Sequence, residues 1–321
     1  MDRSRRAGSS TSPRRPSKSS RPSGGGSSTS ASTGDGPKGS AAGAAGGLGA
    51  AAVRDLAARH GIRPKRSLGQ HFLIDPNLAR AIASDAELGP ADRVVEIGAG
   101  LGSLTVALAA TGARVLAIEF DARLVAALEE SVAGLANVRL RNADAMKTDW
   151  SRELGPGAWV ACGNLPYNIA VPLVLDMLER APTVRRFVVM VQREVGERLA
   201  AGPGAEHYGA VSVRIAYRAV PVVVRRVPAR VFWPAPAVES VVVRLDRLDI
   251  PPVAVDPARL WRVVDAGFAE RRKTMRNALR RLGLGADEAV ALLDRSGVGR
   301  DARAEQLGLG ELAAIAEAMP P

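Results

Sequence analysis

The 321-residue chain has one cysteine, Cys162, and three histidines, His60, His71 and His207. A lone thiol forms no internal disulfide and suits a reducing compartment, so a cytoplasmic protein is expected. The histidines stand at no ligand-like spacing, and no metal site is expected. No run of 18 apolar residues occurs, so no spanning helix is expected. Residues 1–50 carry almost no large apolar side chain. Such a segment cannot bury enough surface to offset the entropy of ordering, and a disordered basic tail is expected there. It has no apolar core of the secretory kind near Met1. It is Arg- and Ser-rich like an organellar leader, but its Gly and Pro spoil an amphipathic helix.

What the chain has in excess is positive charge, +11 in all. The tail holds eight cations and two acids, and so supplies +6 of it. A basic balance asks for an anionic partner, nucleic acid first. The tail either holds RNA loosely or is a solvated extension; its residues allow both.

The rest is organised around Val94-Val95-Glu96-Ile97-Gly98-Ala99-Gly100-Leu101-Gly102-Ser103-Leu104-Thr105. A β-branched run stops at a glycine loop, and a helical pattern follows. Glycines let backbone approach a ligand closely, and the helix start offers unpaired N–H groups. In an open α/β sheet a nucleotide-like ligand sits at the carboxyl ends of the strands. The spacing departs from the dinucleotide fingerprint, since Ser103 stands where a third glycine belongs, and the Gly-Lys-Ser/Thr of a phosphate loop is absent. Glu96 at the strand tip repels a pyrophosphate but accepts from a cationic amino group. The loop therefore reads as a site for S-adenosylmethionine, or as a plain strand–helix turn.

Further strand tips extend the pattern. Arg114 to Ile118 reads as a second strand closed by Glu119, an acid placed to take the two hydroxyls of a ribose. Val138 to Arg141 is a third strand followed by Asp144, which can accept from an adenine amine. The fourth, Trp159 to Cys162, ends in Gly163-Asn164-Leu165-Pro166-Tyr167. The Asn164 amide oxygen and the Leu165 carbonyl can both accept from one exocyclic amine, drawing its lone pair out of conjugation. Tyr167 offers a face on which an unstacked base can lie. Cys162 sits within an apolar strand and reads as core rather than nucleophile. Upstream, Arg63 to Leu73 brings three cations beside a Gly-Gln-His turn. Downstream, Val211 to Tyr217, Val220 to Val224 and Val241 to Leu245 read as strands. Between the last two, prolines fix an extended loop that presents Phe232 and Trp233 beside Arg225, Arg226 and Arg230, a pairing suited to single-stranded nucleic acid.

A proline-rich break at 247–257 divides the chain. The expected organisation is a tail at 1–50, a catalytic domain at 51–249 and a helical RNA-binding domain at 250–321. One long helix is expected over about 258–282, then helices over 286–296 and 308–319. The first carries Arg271, Arg272, Lys273, Arg276, Arg280 and Arg281, with Arg272, Arg276 and Arg280 on one face. Like charges so close repel unless phosphates lie opposite.

Together these stretches resemble the KsgA/RsmA-type dimethyladenosine transferases of small-subunit ribosomal RNA. The resemblance rests on Ser67 to Leu73, Glu96 to Thr105, Asn142 to Ala145, Asn164 to Asn168, Val231 to Ser240 and Phe268 to Asn277. It implies a class I methyltransferase fold, Rossmann-like and mainly parallel with one antiparallel strand, plus a small C-terminal helical domain. It implies S-adenosyl-L-methionine as methyl donor and 16S rRNA in the small subunit or its precursor as partner. The activity would be double methylation of N6 on two adjacent adenines near the 3′ end, by a monomer with no membrane attachment. Carried over by position, His71, Leu73, Gly98, Glu119, Asp144 and Asn164 contact the cofactor. Asn164, Leu165 and Tyr167 handle the target base, with Phe232 as second stacking wall. The family usually has Asn at position 71 and Pro at 99, where this chain has His71 and Ala99. Two rivals stand beside this reading. One is a 23S rRNA adenine methyltransferase of the macrolide-resistance type, against which Leu165 and the Arg271–Asn277 stretch count. The other is a non-catalytic RNA-binding assembly factor. A DNA adenine methyltransferase would carry Asp-Pro-Pro-Tyr or a close variant in place of Asn164 to Tyr167.

Overall fold

A computed structural model describes residues 47–65, 68–166, 168–270 and 273–320. The tail reading falls almost wholly outside the described residues, as do Arg66, Ser67, Tyr167, Arg271 and Arg272. Within 47–50, Leu48 is already buried, and the first helix, α1, spans Ala50–Arg59.

The sheet is built from strands that are apolar for a physical reason. β2 (Arg93–Ile97), β3 (Arg114–Glu119), β5 (Trp159–Asn164) and β6 (Val184–Gln192) lie inside a seven-stranded sheet and are covered on both faces. Alternate residues serve opposite cores. Val94, Val115, Ala117 and Cys162 face one cluster, while Val95, Ile97, Leu116 and Ile118 face the other. A strand buried on both sides reads as a continuous apolar run.

The strand order is β4-β3-β2-β5-β6-β9-β7, with β4 at Val138–Asn142, β7 at Ala219–Val227 and β9 at Ser240–Arg247. Neighbours from β4 to β6 are parallel. β9 runs antiparallel to both β6 and β7, which makes it the one reversed strand. The expected Rossmann-like sheet is thus observed, and it sets Glu96, Glu119 and Asn164 near the same carboxyl edge.

A separate two-stranded ribbon carries part of the site. β1 (Phe72–Leu73) pairs with β8 (Phe232–Trp233), matching Phe72 to Trp233 and Leu73 to Phe232. Helix α2 (Pro76–Asp85) follows β1, its N–H groups capped by the Asp75 carboxylate and its first turn opened by Pro76.

Two expectations need correction. Val211 to Tyr217 is not a strand; it lies in helix α8 (Ala210–Ala216) and the residue that ends it. This helix is wedged between two cores. Val213 and Tyr217, one turn apart, pack with the C-terminal helices, while Ile215 packs on the sheet. A helix buried on two sides mimics the alternation of a strand. The long helix over 258–282 is also two, α9 (Pro257–Phe268) and α10 (Met275–Arg281). Thr274 before α10 is extended and bridges Arg303, and the Met275 N–H bonds the Ala302 carbonyl, so the helical ladder cannot run through. Arg276 and Arg280 keep a common face of α10; Arg272 lies outside the described residues.

The last helices, α11 (Ala286–Arg295) and α12 (Leu309–Ala318), close a third apolar core with α9 and α10. That core includes Tyr208, Val213 and Tyr217, and the Tyr208 hydroxyl donates to the Leu307 carbonyl at 2.8 Å.

Candidate active site

The carboxyl edge of the sheet opens into a cavity of about 310 Å3. Helix α3 (Ser103–Ala109) starts at its floor, after three glycines with positive φ, Gly98, Gly100 and Gly102. At Gly102, φ is +89° and an added Cβ would lie 2.2 Å from the Ser131 hydroxyl oxygen, so no other residue fits this turn unaltered. At Gly163 an added Cβ would meet the Ile97 carbonyl oxygen at 2.5 Å. Its absence lets the tips of β2 and β5 close together, which brings Asn164 beside the glycine loop.

Four carboxylates line the cavity, those of Glu96, Glu119, Asp121 and Asp144, and no Lys or Arg does among the described residues. A pyrophosphate would find no counter-charge here. A ligand with a cationic end and hydroxyl donors would.

Glu96 is 1% exposed, and its Oε2 has no hydrogen-bond partner among the described residues. Burial pushes its carboxyl up to about 8, the Thr105 hydroxyl opposing this and the nearby Glu119 adding to it. An orphaned carboxylate oxygen at the end of a cavity suits an ammonium group. Glu119 accepts from the Gly100 and Asp121 N–H groups, each at 2.8 Å. Burial raises its carboxyl and those two N–H groups oppose the rise. Each of its oxygens keeps a lone pair for a hydroxyl donor. The Asp144 carboxylate accepts from the Met146 N–H, capping a short 3-10 turn, and stays partly open. These features fit the ammonium, ribose and adenine parts of S-adenosylmethionine.

Asn164 is oriented by one bond. Its Nδ2 donates to the His71 main-chain oxygen at 2.9 Å, which turns Oδ1 the other way as an acceptor. The Leu165 carbonyl receives no hydrogen bond from any described residue. His71, Leu73, Gly98, Glu119, Asp144 and Asn164 all line the cavity. Leu165 is buried, its N–H bonded to the Met190 carbonyl. Tyr167 lies outside the described residues.

Phe232 differs from the expectation of an exposed loop. β8 pairing with β1 buries it to 3%, and Trp233 is half-buried with its ring 6.2 Å from that of Phe72. Cys162 is wholly buried and its thiol is pushed up by burial, in keeping with a core residue.

Several contributors escaped sequence reasoning. The Gln70 amide donates to Asp121 at 2.8 Å and accepts from the Lys65 N–H, holding the segment before β1 over the cavity. Asp121 is itself paired with Arg123, which holds its carboxyl down at about 2. Ser103 donates to the Leu73 carbonyl at 2.6 Å. Phe120, 62% exposed, lines the cavity. Its signal was present: an apolar residue directly after the acid that ends β3.

The cations expected to meet RNA are partly described. Lys273 and Arg280 are exposed, Arg276 is half-buried, and none pairs with a described acid. Arg281 pairs with Glu270. Arg271 and Arg272 lie outside the described residues.

Comparison with known proteins places this geometry. Residues 61–319 match the family of the ribosomal RNA adenine dimethylases. The ribosomal RNA small subunit methyltransferase A of Moorella thermoacetica is 44% identical over 274 residues, 82% of this chain and 95% of that one. The protein of the same name from Thermobifida fusca is 46% identical over 276 residues, 84% of this chain and 94% of its own. Among solved structures, the 23S rRNA methyltransferase ErmE is 27% identical, with a TM-score of 0.62 over 77% of this chain and 98% of that one. A dimethyladenosine transferase from Plasmodium falciparum shares the fold at a TM-score of 0.67 and 23% identity, covering 76% of this chain and 96% of its own.

Proposed function

The chain belongs to the ribosomal RNA adenine dimethylase family, and on that premise we propose that it methylates N6 of two adjacent adenosines near the 3′ end of 16S rRNA, twice on each, during small-subunit assembly. It is an S-adenosylmethionine-dependent rRNA adenine dimethyltransferase. The observation that carries the reading is the Asn164 amide, held by His71 in the lining of an acidic cavity with its Oδ1 left as an acceptor.

The 16S target is favoured over 23S by similarity. Relatives named for the small subunit are 44% and 46% identical over nearly their whole length, against 27% for the 23S enzyme. A non-catalytic role fits poorly with an acidic set intact at Glu96, Glu119 and Asp144. The reading has the protein working as a monomer in the cytoplasm; a single buried cysteine suits a reducing compartment. No described helix is long and apolar enough to cross a membrane.

When bound, S-adenosylmethionine supplies an electrophilic methyl on a sulfonium centre. Glu96 would hold its ammonium group, Glu119 its ribose hydroxyls and Asp144 its adenine amine. His71, Leu73 and Gly98 line the same cavity. Asn164 Oδ1 and the Leu165 carbonyl each accept from the exocyclic amine of the target adenine. Two acceptors on one N–H2 group would draw its lone pair out of conjugation with the ring and leave it free to take the methyl, the C–S bond to the donor breaking and S-adenosylhomocysteine leaving. No residue is required as a base, since the proton of the cationic product can leave to water. Tyr167 provides a face on which an unstacked base is held; Phe232, 3% exposed in its pairing with β1, has no open face for stacking in this structure. Lys273, Arg276 and Arg280, with Arg271 and Arg272, hold the RNA backbone as phosphate contacts.

The test is the chemistry of the product. Small subunits lacking the modification are incubated with methyl-labelled S-adenosylmethionine, and the RNA is digested to nucleosides. Label in N6,N6-dimethyladenosine from the 3′ end of 16S rRNA is expected. Label confined to another base or to no nucleoside at all overturns the reading.

A further inference from the structure

Three polar side chains end one face of the sheet. Along β5, β6 and β9 alternate residues serve the two cores, and Cys162, Val188, Met190 and Val242 face the cluster that also holds Phe72, Leu73 and Phe232. Two positions beyond Cys162 the same face carries Asn164, two beyond Met190 it carries Gln192, and two before Val242 it carries Ser240. Gln192 stands directly across from Ser240, and Asn164 across from Met190. Gln192 is thus one strand over from Asn164 and two residues nearer the carboxyl edge, a Cα separation of roughly 8 Å by strand geometry.

Gln192 has no structural task of its own. It precedes α7 (Arg193–Ala200) at the capping position, yet its side chain makes no cap bond, and Gln is not among the residues that cap well. Its amide bonds no described residue. The groups beside it are taken. The Arg193 N–H donates to the Glu239 carbonyl at 3.0 Å, and the Arg193 guanidinium pairs with Glu239 and Glu197. Gln192 is half-buried where an apolar face ends, and an amide left unpaired there costs free energy. Asn164 lines the donor cavity and Gln192 does not. The Gln192 amide therefore belongs to the side on which the target base arrives.

We propose that Gln192 positions the target adenine, its Nε2 donating to a ring nitrogen, N1 or N7, beside the amine that Asn164 and Leu165 accept from. This rests on the methyltransferase reading above. Adenine flanks its amine with an acceptor on either side, and an amide N–H matches either one. Two acceptors on the amine alone leave the ring free to pivot about it. A third contact in the ring plane stops the pivot and fixes the direction in which the amine meets the methyl.

The test uses the full chain with Gln192→Leu and Gln192→Glu. The substrates are small subunits reconstituted with 16S rRNA that carries adenosine, 1-deazaadenosine or 7-deazaadenosine at the two target positions. Leu keeps the bulk and removes the amide; an ionised Glu keeps the shape and removes the donor. With adenosine we expect kcat/KM about tenfold lower in both variants. Wild type should lose about as much on one of the two deaza substrates, and on that substrate Gln192→Leu should lose nothing further. S-adenosylhomocysteine affinity by calorimetry and the melting temperature should stay at wild-type values in both variants, because Gln192 touches neither the donor nor a described side chain. Wild type that methylates adenosine and is indifferent to both deaza substrates overturns the proposal alone. So does a fall in donor affinity or melting temperature that accounts for the lost turnover. Wild type that methylates none of the three substrates faults the methyltransferase reading, and the proposal with it.

Discussion

Asn164 donates its side-chain N–H to the main-chain oxygen of His71, 93 positions earlier in the chain, at 2.9 Å. The bond settles which end of the amide faces the cavity. Asn164→Ala removes an oriented acceptor and should lower kcat by roughly 100-fold. RNA binding, which relies on distant cations, should stay near wild type in a filter or gel-shift assay. Asn164→Asp should fail as well, because a carboxylate cannot donate to His71 and would face its oxygen with charge. Wild-type turnover in either variant would contradict the assigned role.

Glu96 makes stability depend on pH in a direction that can be measured. Its buried carboxyl titrates at about 8, against 4.5 in an open chain. Between those values the unfolded carboxyl is ionised and the folded one protonated, so folding takes up a proton and stability falls as pH rises. The penalty is absent below about 4.5 and complete above about 8. Glu119, also raised by burial, acts in the same sense. The melting temperature of the free protein should drop more between about pH 5.5 and pH 8 in wild type than in Glu96→Gln. Equal drops would show that Glu96 is not held neutral.

Glu119 binds two backbone N–H groups of the loops that frame the cavity, Gly100 and Asp121. Glu119→Ala leaves both donors without their partner and removes the acceptors for the ribose. S-adenosylhomocysteine affinity should fall at least about tenfold, since a hydrogen bond to a charged group contributes roughly 1.5–3 kcal/mol. Calorimetry reads it directly; unchanged affinity would move the ribose elsewhere.

Arg280 and Lys273 are exposed, and the described acid beside them, Glu270, is paired with Arg281, so their charges are available to phosphate. Replacing both with Ala should weaken RNA binding without base preference. It should also flatten the plot of log affinity against log salt by about one unit per lost phosphate contact. A salt slope equal to wild type would place the RNA on another face.

The sequence made the sheet edge legible because each feature there is local. A strand, its terminal acid and the glycine turn are contiguous at Glu96 to Gly102, and Glu119 and Asn164 each close their own strand. What escaped it depends on contacts far apart in the chain. The segment before α2 is held by Gln70 against Asp121 and Leu73 against Ser103, and neither pair is close in sequence. Phe232 read as exposed because its partner strand, β1, is two residues long and gives no periodic signal. Helix α8 read as a strand because both its faces are buried. The break before α10 follows from Thr274 bridging Arg303, which no local pattern announces.

The most direct measurement of the central claim sets two substrates side by side. Wild-type protein is given methyl-labelled S-adenosylmethionine with either unmethylated small subunits or protein-free 23S rRNA, and Asn164→Ala serves as the blank. The account predicts dimethyladenosine in 16S rRNA, little label in 23S rRNA and none above background with the variant. Preferential labelling of 23S rRNA, or RNA bound with no label in either, would contradict it.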